Sequence, residues 1–260
     1  DAYRWAPAKP VESFEIVKRR LFREPDAAAL TTIEQVARRF TKFYTDHKGE
    51  LPGESLDYSY EDRIKAAYPI HPALFDRLYG DWSTLERFQR TRGVLRLMSH
   101  VVHSLWASGD AAPLIMPGSI PLDYDAVRDE IAGYLPDEWQ PIIAKDIDGE
   151  LATSVYIDNE KPLFGARALT RRIARAIFMG SAATLTTEHK GIERKQVFLS
   201  VALPGDTIGN FGSALSQLAE RATHLYADSD RYWFDRTPSL NRTVTERAES
   251  YQQADVWAEI

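Results

Sequence analysis

Apolar residues that return every three or four positions dominate the first two thirds of this 260-residue chain, and that period restricts the region to packed helices. ESFEIVKRRLF (12–22) and TIEQVARRFTKFY (32–44) read as two amphipathic helices, each with one apolar stripe to bury. Between them, REPDAAAL carries a proline, and the Thr31-Thr32 pair is placed to cap the second helix. HKGELPGESLDYS is rich in breakers and reads as a loop. In YEDRIKAAYPIHPALFDRLYGDW, Pro69 and Pro72 interrupt the pattern, because proline lacks an amide donor and disfavours helix at the residue before it. A new helix is expected from Pro72, with His71 in a turn where its ring can cap a neighbouring helix.

The next stretch, STLERFQRTRGVLRLM (83–98), holds Arg87, Arg90, Arg92 and Arg96, with no acidic residue after Glu86. Ser83 and Glu86 have capping-box spacing, so the stretch is expected to open a helix running to Trp106. Gly93 interrupts that helix at a cost of about 1 kcal/mol relative to Ala, which implies that two helices meet there or that something packs close. The arginines are either surface ion pairs with Asp76, Asp81 or Glu86, or groups that meet an anion.

GDAAPLIMPGSIPLD reads as a connector, followed by helices around YDAVRDEIAGYL and DEWQPIIAKDID and a break at NEKPLFG. A boundary near Glu160 divides the chain into a helical region at 1–110, connector helices at 111–160 and a final unit at 161–260. That unit reads as helix (ARALTRRIARAIFMGSAA), helix (IERKQVFLSVAL), a break at PGDTIGN and helix (FGSALSQLAERAT). The period then changes, and HLYAD and RYWFD flank Ser229-Asp230 as a tight hairpin. Three helices and a hairpin follow the order of a winged helix, with SLNRTVTERAESYQQADVWAEI as a terminal helix. The fold class expected is mainly α, a helical bundle followed by a winged-helix-like domain with a small β-hairpin.

Composition narrows the function. There is no cysteine, which excludes disulfides and thiol catalysis and fits a cytoplasmic protein. A net charge of -6 argues against a general coat on nucleic acid and leaves room only for a local basic patch. No apolar run is long enough to span a membrane, and no signal core precedes DAYRWAPAKP; the start at Asp1 suggests a piece of a longer protein. A phosphate-binding G-x-x-x-x-G-K-[ST] string is missing, and Asp129-Glu130 sits in a helical pattern and reads as surface charge. His100 and His103 lack a third ligand, and no Ser or Asp completes a triad, so neither a metal nor a catalytic residue is expected in this chain.

SFEIVKRRLF, YPIHPALFDRLYGDWSTLERFQRTRGVLRLM and YADSDRYWFDRTPSLNR resemble a family of uncharacterised AAA+ ATPases of bacteria and archaea. These are large proteins often encoded beside DNA methyltransferases and helicases in phage-defence gene neighbourhoods. The resemblance implies that residues from about 11 to 110 include the helical lid of an AAA+ module. It also implies that the Walker motifs lie upstream, so that ATP and Mg enter only together with that core. A lid helix in such proteins carries a sensor arginine, and Arg90 and Arg92 are the candidates. A forked, permanently charged guanidinium suits that role because it clamps phosphate oxygens; Gly93 would permit close approach, leaving Arg87 and Arg96 as scaffolding.

For the winged-helix unit, FGSALSQLAERAT has only Arg221 as a cation, which is weak for reading bases. Lys190, Arg194, Lys195, Arg231, Arg236 and Arg242 are the better phosphate or partner contacts, whereas Asp228, Asp230 and Asp235 oppose nucleic acid at the same hairpin. Tyr232, Trp233 and Phe234 read as strand residues rather than a stacking platform. Candidate partners are the upstream core, duplex DNA, a methyltransferase or helicase, and further copies of the chain. Three readings stay open: a coupling part of an AAA+ ATPase, a protein-docking adaptor without nucleotide contact, and an ATP-independent DNA-binding module.

Overall fold

A computed structural model describes residues 10–185 and 190–239; Arg242 and nearly all of the expected terminal helix lie outside them. The N-terminal half contains α1 (Pro10–Leu21), α2 (Ala27–Asp46), α3 (Ser59–Ala67), α4 (Pro72–Gly80) and α5 (Thr91–Ala107). Next come α6 (Asp125–Ala132) and α7 (Trp139–Ile142), which runs into a π-helical turn at Ile143–Ile147. The chain continues with α8 (Thr153–Glu160), α9 (Pro162–Gly165), α10 (Leu169–Ser181), α11 (Arg194–Leu199) and α12 (Gly209–Arg221). Strands β1 (Ile192–Glu193), β2 (Leu225–Asp228) and β3 (Arg231–Phe234) form an antiparallel sheet in the order β1-β3-β2. The protein is thus mainly helical with one small three-stranded sheet.

Local chemistry explains the boundaries. Helix α2 is capped by Asp26, whose carboxylate accepts from the Ala29 amide at 2.8 Å, and not by the threonine pair. Thr31 and Thr32 lie a turn inside the helix and bond back to the carbonyls of Ala27 and Ala28. His71 caps α4 as expected, its Nδ1 accepting the Ala73 amide at 3.2 Å, and Pro72 takes the first helical position. The capping box at Ser83 does not form: Ser83 donates to the Tyr79 carbonyl at the end of α4, and Glu86–Phe88 is a separate 3-10 turn. Helix α5 therefore starts only at Thr91. NEKPLFG does interrupt the helical pattern, but only at Lys161, which is extended between the end of α8 and the short α9.

Helix α10 is the hub. Every residue from Leu169 to Ser181 except Arg171 is buried, and α10 packs against Pro117–Ser119, α8, α12 and β3. It reaches the N-terminal helices through aromatic contacts. Trp82, fully buried, donates to the Met179 carbonyl at 2.8 Å and sits edge-on to Phe178. Trp82 also meets Phe88, whose ring lies 4.8 Å from that of Tyr134. Buried apolar residues from Val17 to Phe234 consequently belong to one continuous cluster.

The strand β1 falls inside IERKQVFLSVAL, where helical periodicity conceals it. Two residues are too few to carry a period-2 signal, and Ile192 gains its strand conformation by pairing with Tyr232 across the sheet.

Candidate functional site

The arginine stretch forms a corner between α4 and α5. Gln89 and Arg90 both have positive φ, 54° and 49°, so the chain turns sharply before α5 begins. Non-glycine residues hold such conformations only where surrounding packing fixes them. Gly93 supplies that packing: a Cβ there would stand 1.9 Å from the Phe88 carbonyl oxygen. The close approach at Gly93 is thus made by the preceding turn of the same chain.

Arg87, Arg90 and Arg92 are exposed and have no ion-pair partner among the described residues. Two of the carboxylates offered as partners are taken, Asp76 by Arg63 at 2.7 Å and Asp81 by Arg77 at 3.0 Å. Arg96 differs, pairing with Glu130 at 2.9 Å. Glu130 also accepts from the Tyr134 hydroxyl and its side chain is only 8% exposed, so of the Asp129-Glu130 pair only Asp129 is surface charge.

A second candidate surface is the outer side of α12 with the turn joining β2 and β3. Arg194, Gly209, Gly212, Ser213, Ser216 and Asp230 line a cleft of about 710 Å3 there. The cations proposed for this region are mostly engaged. Arg231 donates to the carbonyls of Lys190 and Gly191 at 2.9 and 2.7 Å and pairs with Glu193 at 3.0 Å. Arg194 lies over the Phe198 ring at 4.9 Å and pairs with Glu50 at 3.5 Å, while Arg236 is 3.7 Å from Glu138. Lys190 and Lys195 are exposed. Arg221 turns away, to Glu160 and the Tyr156 ring. Phe234 is in the core and Trp233 stacks on Tyr226 at 5.6 Å, so these aromatics serve the sheet.

The structure also brings together buried charges that the sequence reading did not single out. Arg175 of α10 grips Asp148 at 2.6 Å and Asp123 at 3.0 Å, and Arg172 binds Asp206 at 3.1 Å and the Val201 carbonyl at 2.6 Å. Burial outweighs Arg175 and pushes the Asp148 carboxyl up from its ordinary range. Asp146, fully buried, accepts from the amides of Thr223 and His224, from His224 Nδ1 and from the Thr153 hydroxyl. It ties the π-helical turn to the link between α12 and β2. Asp158 accepts from the amides of Thr170 and Arg171 and so caps α10 from α8. No signal in the sequence pointed this way: Arg171, Arg172 and Arg175 cluster on one side of LTRRIARAIFMG and read as an ordinary solvent face.

His71 is enclosed by Phe40, Tyr44 and Tyr60, and its Nε2 lies 3.0 Å from the Tyr44 hydroxyl. Because Nδ1 accepts an amide, Nε2 carries the proton and donates to Tyr44. Burial pushes the imidazole down to about 3, which keeps it neutral and suits a structural cap. His103 is exposed and His100 half-buried, and among the described residues no group of three or more His, Cys, Asp or Glu could hold a metal ion. Nor is any helix among them long and apolar enough to cross a membrane.

No curated protein and no solved structure matches the chain. A family match does exist, and it covers residues 8–234, from the start of α1 through the end of β3. The chain belongs to the DUF499 second-domain family.

Proposed function

We propose that this chain is a non-catalytic coupling module of an AAA+ ATPase. In it, the corner at Gln89–Arg92 presents Arg90 and Arg92 to ATP held by a core elsewhere in the protein, and a winged-helix unit from α10 to β3 docks a protein partner. The observation that carries the reading is the charge at the corner: Arg87, Arg90 and Arg92 are uncommitted cations on a turn fixed by packing, while Arg63, Arg77 and Arg96 nearby are paired. Guanidinium groups suit terminal phosphates, and a contact made in only one nucleotide state is what coupling requires. Mg would have to be held by the core, since the corner offers cations only. The setting in anti-phage defence rests on the resemblance alone.

The order α10, β1, α11, α12, β2, β3, with β3 between β1 and β2, supports the winged-helix reading. A protein partner is favoured over DNA by the outward residues of α12, which are small and uncharged at Gly212, Ser213 and Ser216, and by Asp228 and Asp230 on the adjoining turn. Non-specific DNA affinity comes from Lys and Arg displacing phosphate counterions, and most such residues here are already paired. A methyltransferase or helicase is the partner class the resemblance suggests.

Arg90→Ala/Arg92→Ala in the full-length protein should depress ATP turnover while leaving the circular dichroism spectrum intact; unchanged turnover sinks the sensor role. Duplex DNA at about 50 mM salt should not bind the chain, whereas binding that falls steeply with added salt would replace docking with a DNA-binding module.

A further inference from the structure

We infer that the cleft where the start of α8 meets the end of α12 is the docking site for the chain's own segment 240–260, which lies outside the described residues. Glu150, Leu151, Thr153, Tyr156, Asn159 and Arg221 line this cleft of about 450 Å3. It presents two large apolar side chains to solvent, Leu151 being 92% exposed and Tyr156 59%. Scattered exposed apolar residues are ordinary, but two gathered at one cleft form a patch of the kind that another polypeptide covers. The place where the described chain ends identifies the cover.

Hydrogen bonds carry the chain's exit to this cleft. The Asp146 carboxylate accepts from the Thr153 hydroxyl on the cleft wall at 2.9 Å and from the Thr223 amide at 3.1 Å. The Thr223 carbonyl in turn accepts from the Ser239 amide at 2.8 Å. Segment 240–260 therefore departs within roughly 12 Å of Thr153, a distance that about eight residues of helix span. Leu240, Val244, Arg247, Tyr251 and Ala254 follow one another at steps of four and three, so a helix would set them in one stripe. Val256, Trp257 and Ile260 fall off that stripe, which leaves the docking face to residues 240–254. The charges match as well. Arg247 is the one charged residue of the stripe, and Glu150 is exposed at the cleft with no ion-pair partner among the described residues, whereas Arg221 is already paired with Glu160. Pairing Arg247 with Glu150 brings Val244 and Tyr251, one turn to either side, against Leu151 and Tyr156.

The test is amide hydrogen exchange of the whole chain, read by mass spectrometry on peptides from 240–254. A helix of that length is marginal in water by itself, so protection there reports docking. Exchange in this segment should be at least about tenfold faster in Leu151→Ser/Tyr156→Ser, both exposed positions, than in the parent. Leu30→Ser, at an exposed apolar residue of α2, should change nothing. Glu150→Arg should also speed exchange, and adding Arg247→Glu should restore protection, because reversing both charges keeps the pair. Circular dichroism of each variant confirms that it folds. Exchange in the parent as fast as in an unfolded peptide, equal acceleration by Leu30→Ser, or a Glu150→Arg/Arg247→Glu variant that stays fast overturns the docking. Protection lost on dilution places a second copy in the cleft and overturns the assignment to the chain's own segment.

Discussion

Gly93→Ala is expected to destabilise the protein strongly, and the reason lies in one contact. The added Cβ would lie 1.9 Å from the Phe88 carbonyl oxygen, 2.9 Å from its carbonyl carbon and 3.0 Å from the Phe88 ring. A carbon and an oxygen pack no closer than about 3.3 Å without strain, so the turn at Glu86–Phe88 must retreat by roughly 1.4 Å. It has nowhere to go. Phe88 is fully buried between Trp82 and Tyr134, and Trp82 is in turn bonded to α10. Overpacking a fixed core costs about 1–3 kcal/mol and expelling a buried Phe about 3–5 kcal/mol. The intrinsic helix preference of Ala returns about 1 kcal/mol at most, because the site is in the first turn. The net expectation is a loss of about 2–4 kcal/mol, measured by urea unfolding followed by circular dichroism, or a drop in Tm of roughly 5–15 °C. Gly80→Ala is the control, since a Cβ at that position meets nothing within 4 Å. A neutral or stabilising Gly93→Ala would refute the packing argument and return Gly93 to a role in admitting a ligand.

Three further outcomes follow from the buried polar groups. His71 takes up a proton more readily unfolded than folded, where it titrates near 3 instead of 6.5, so the unfolded state binds the extra proton in that window. Stability should therefore fall as pH drops from about 6.5 towards 3, with a His71 contribution of at most about 1.4 kcal/mol per pH unit. His71→Gln should lack that component, and parallel stability curves for parent and variant between pH 7 and 5 would count against it. Asp146→Asn sets an amide against donors now held by two carboxylate oxygens and should cost about 2–4 kcal/mol in urea unfolding, loosening the link from α12 to β2. Arg175→Met should cost about 3–5 kcal/mol by leaving Asp148 buried with only the Asp123 amide at 2.9 Å and Arg171 at 3.9 Å as partners. Adding Asp148→Leu should recover most of that loss; a double variant as unstable as the single would show that packing, not charge, sets the cost.

Much of the helical framework was legible. The extents of α4, α10 and α12 and the body of α2 follow the apolar period, and Pro69 and Pro72 placed the start of α4. The turn between β2 and β3 was legible from the change of period at HLYAD. Illegible were features decided at a distance. Strand β1 exists because β3 offers it a partner, and α2 is capped by Asp26 because the chain already turns helical at Ala27, five positions before the apolar stripe shows it. Of the candidate site, the four arginines could be named, but nothing in their spacing said that Arg96 reaches Glu130 on α6, or that Arg231 is spent on Lys190, Gly191 and Glu193.

The sequence by itself determined most of the helices, where prolines break them, and that no thiol chemistry is available. Those properties depend on residues a few positions apart, within reach of backbone sterics and the 3.6-residue period. Only the tertiary structure decided which charges are free. An ion pair joins residues far apart in the chain, as Arg175 joins Asp123 and Asp148, and its formation depends on which helices lie side by side. The same packing sank Arg172 and Arg175 of α10 into the core and left Arg87, Arg90 and Arg92 on one corner and Asp228 and Asp230 on another, facing water with their charges unspent.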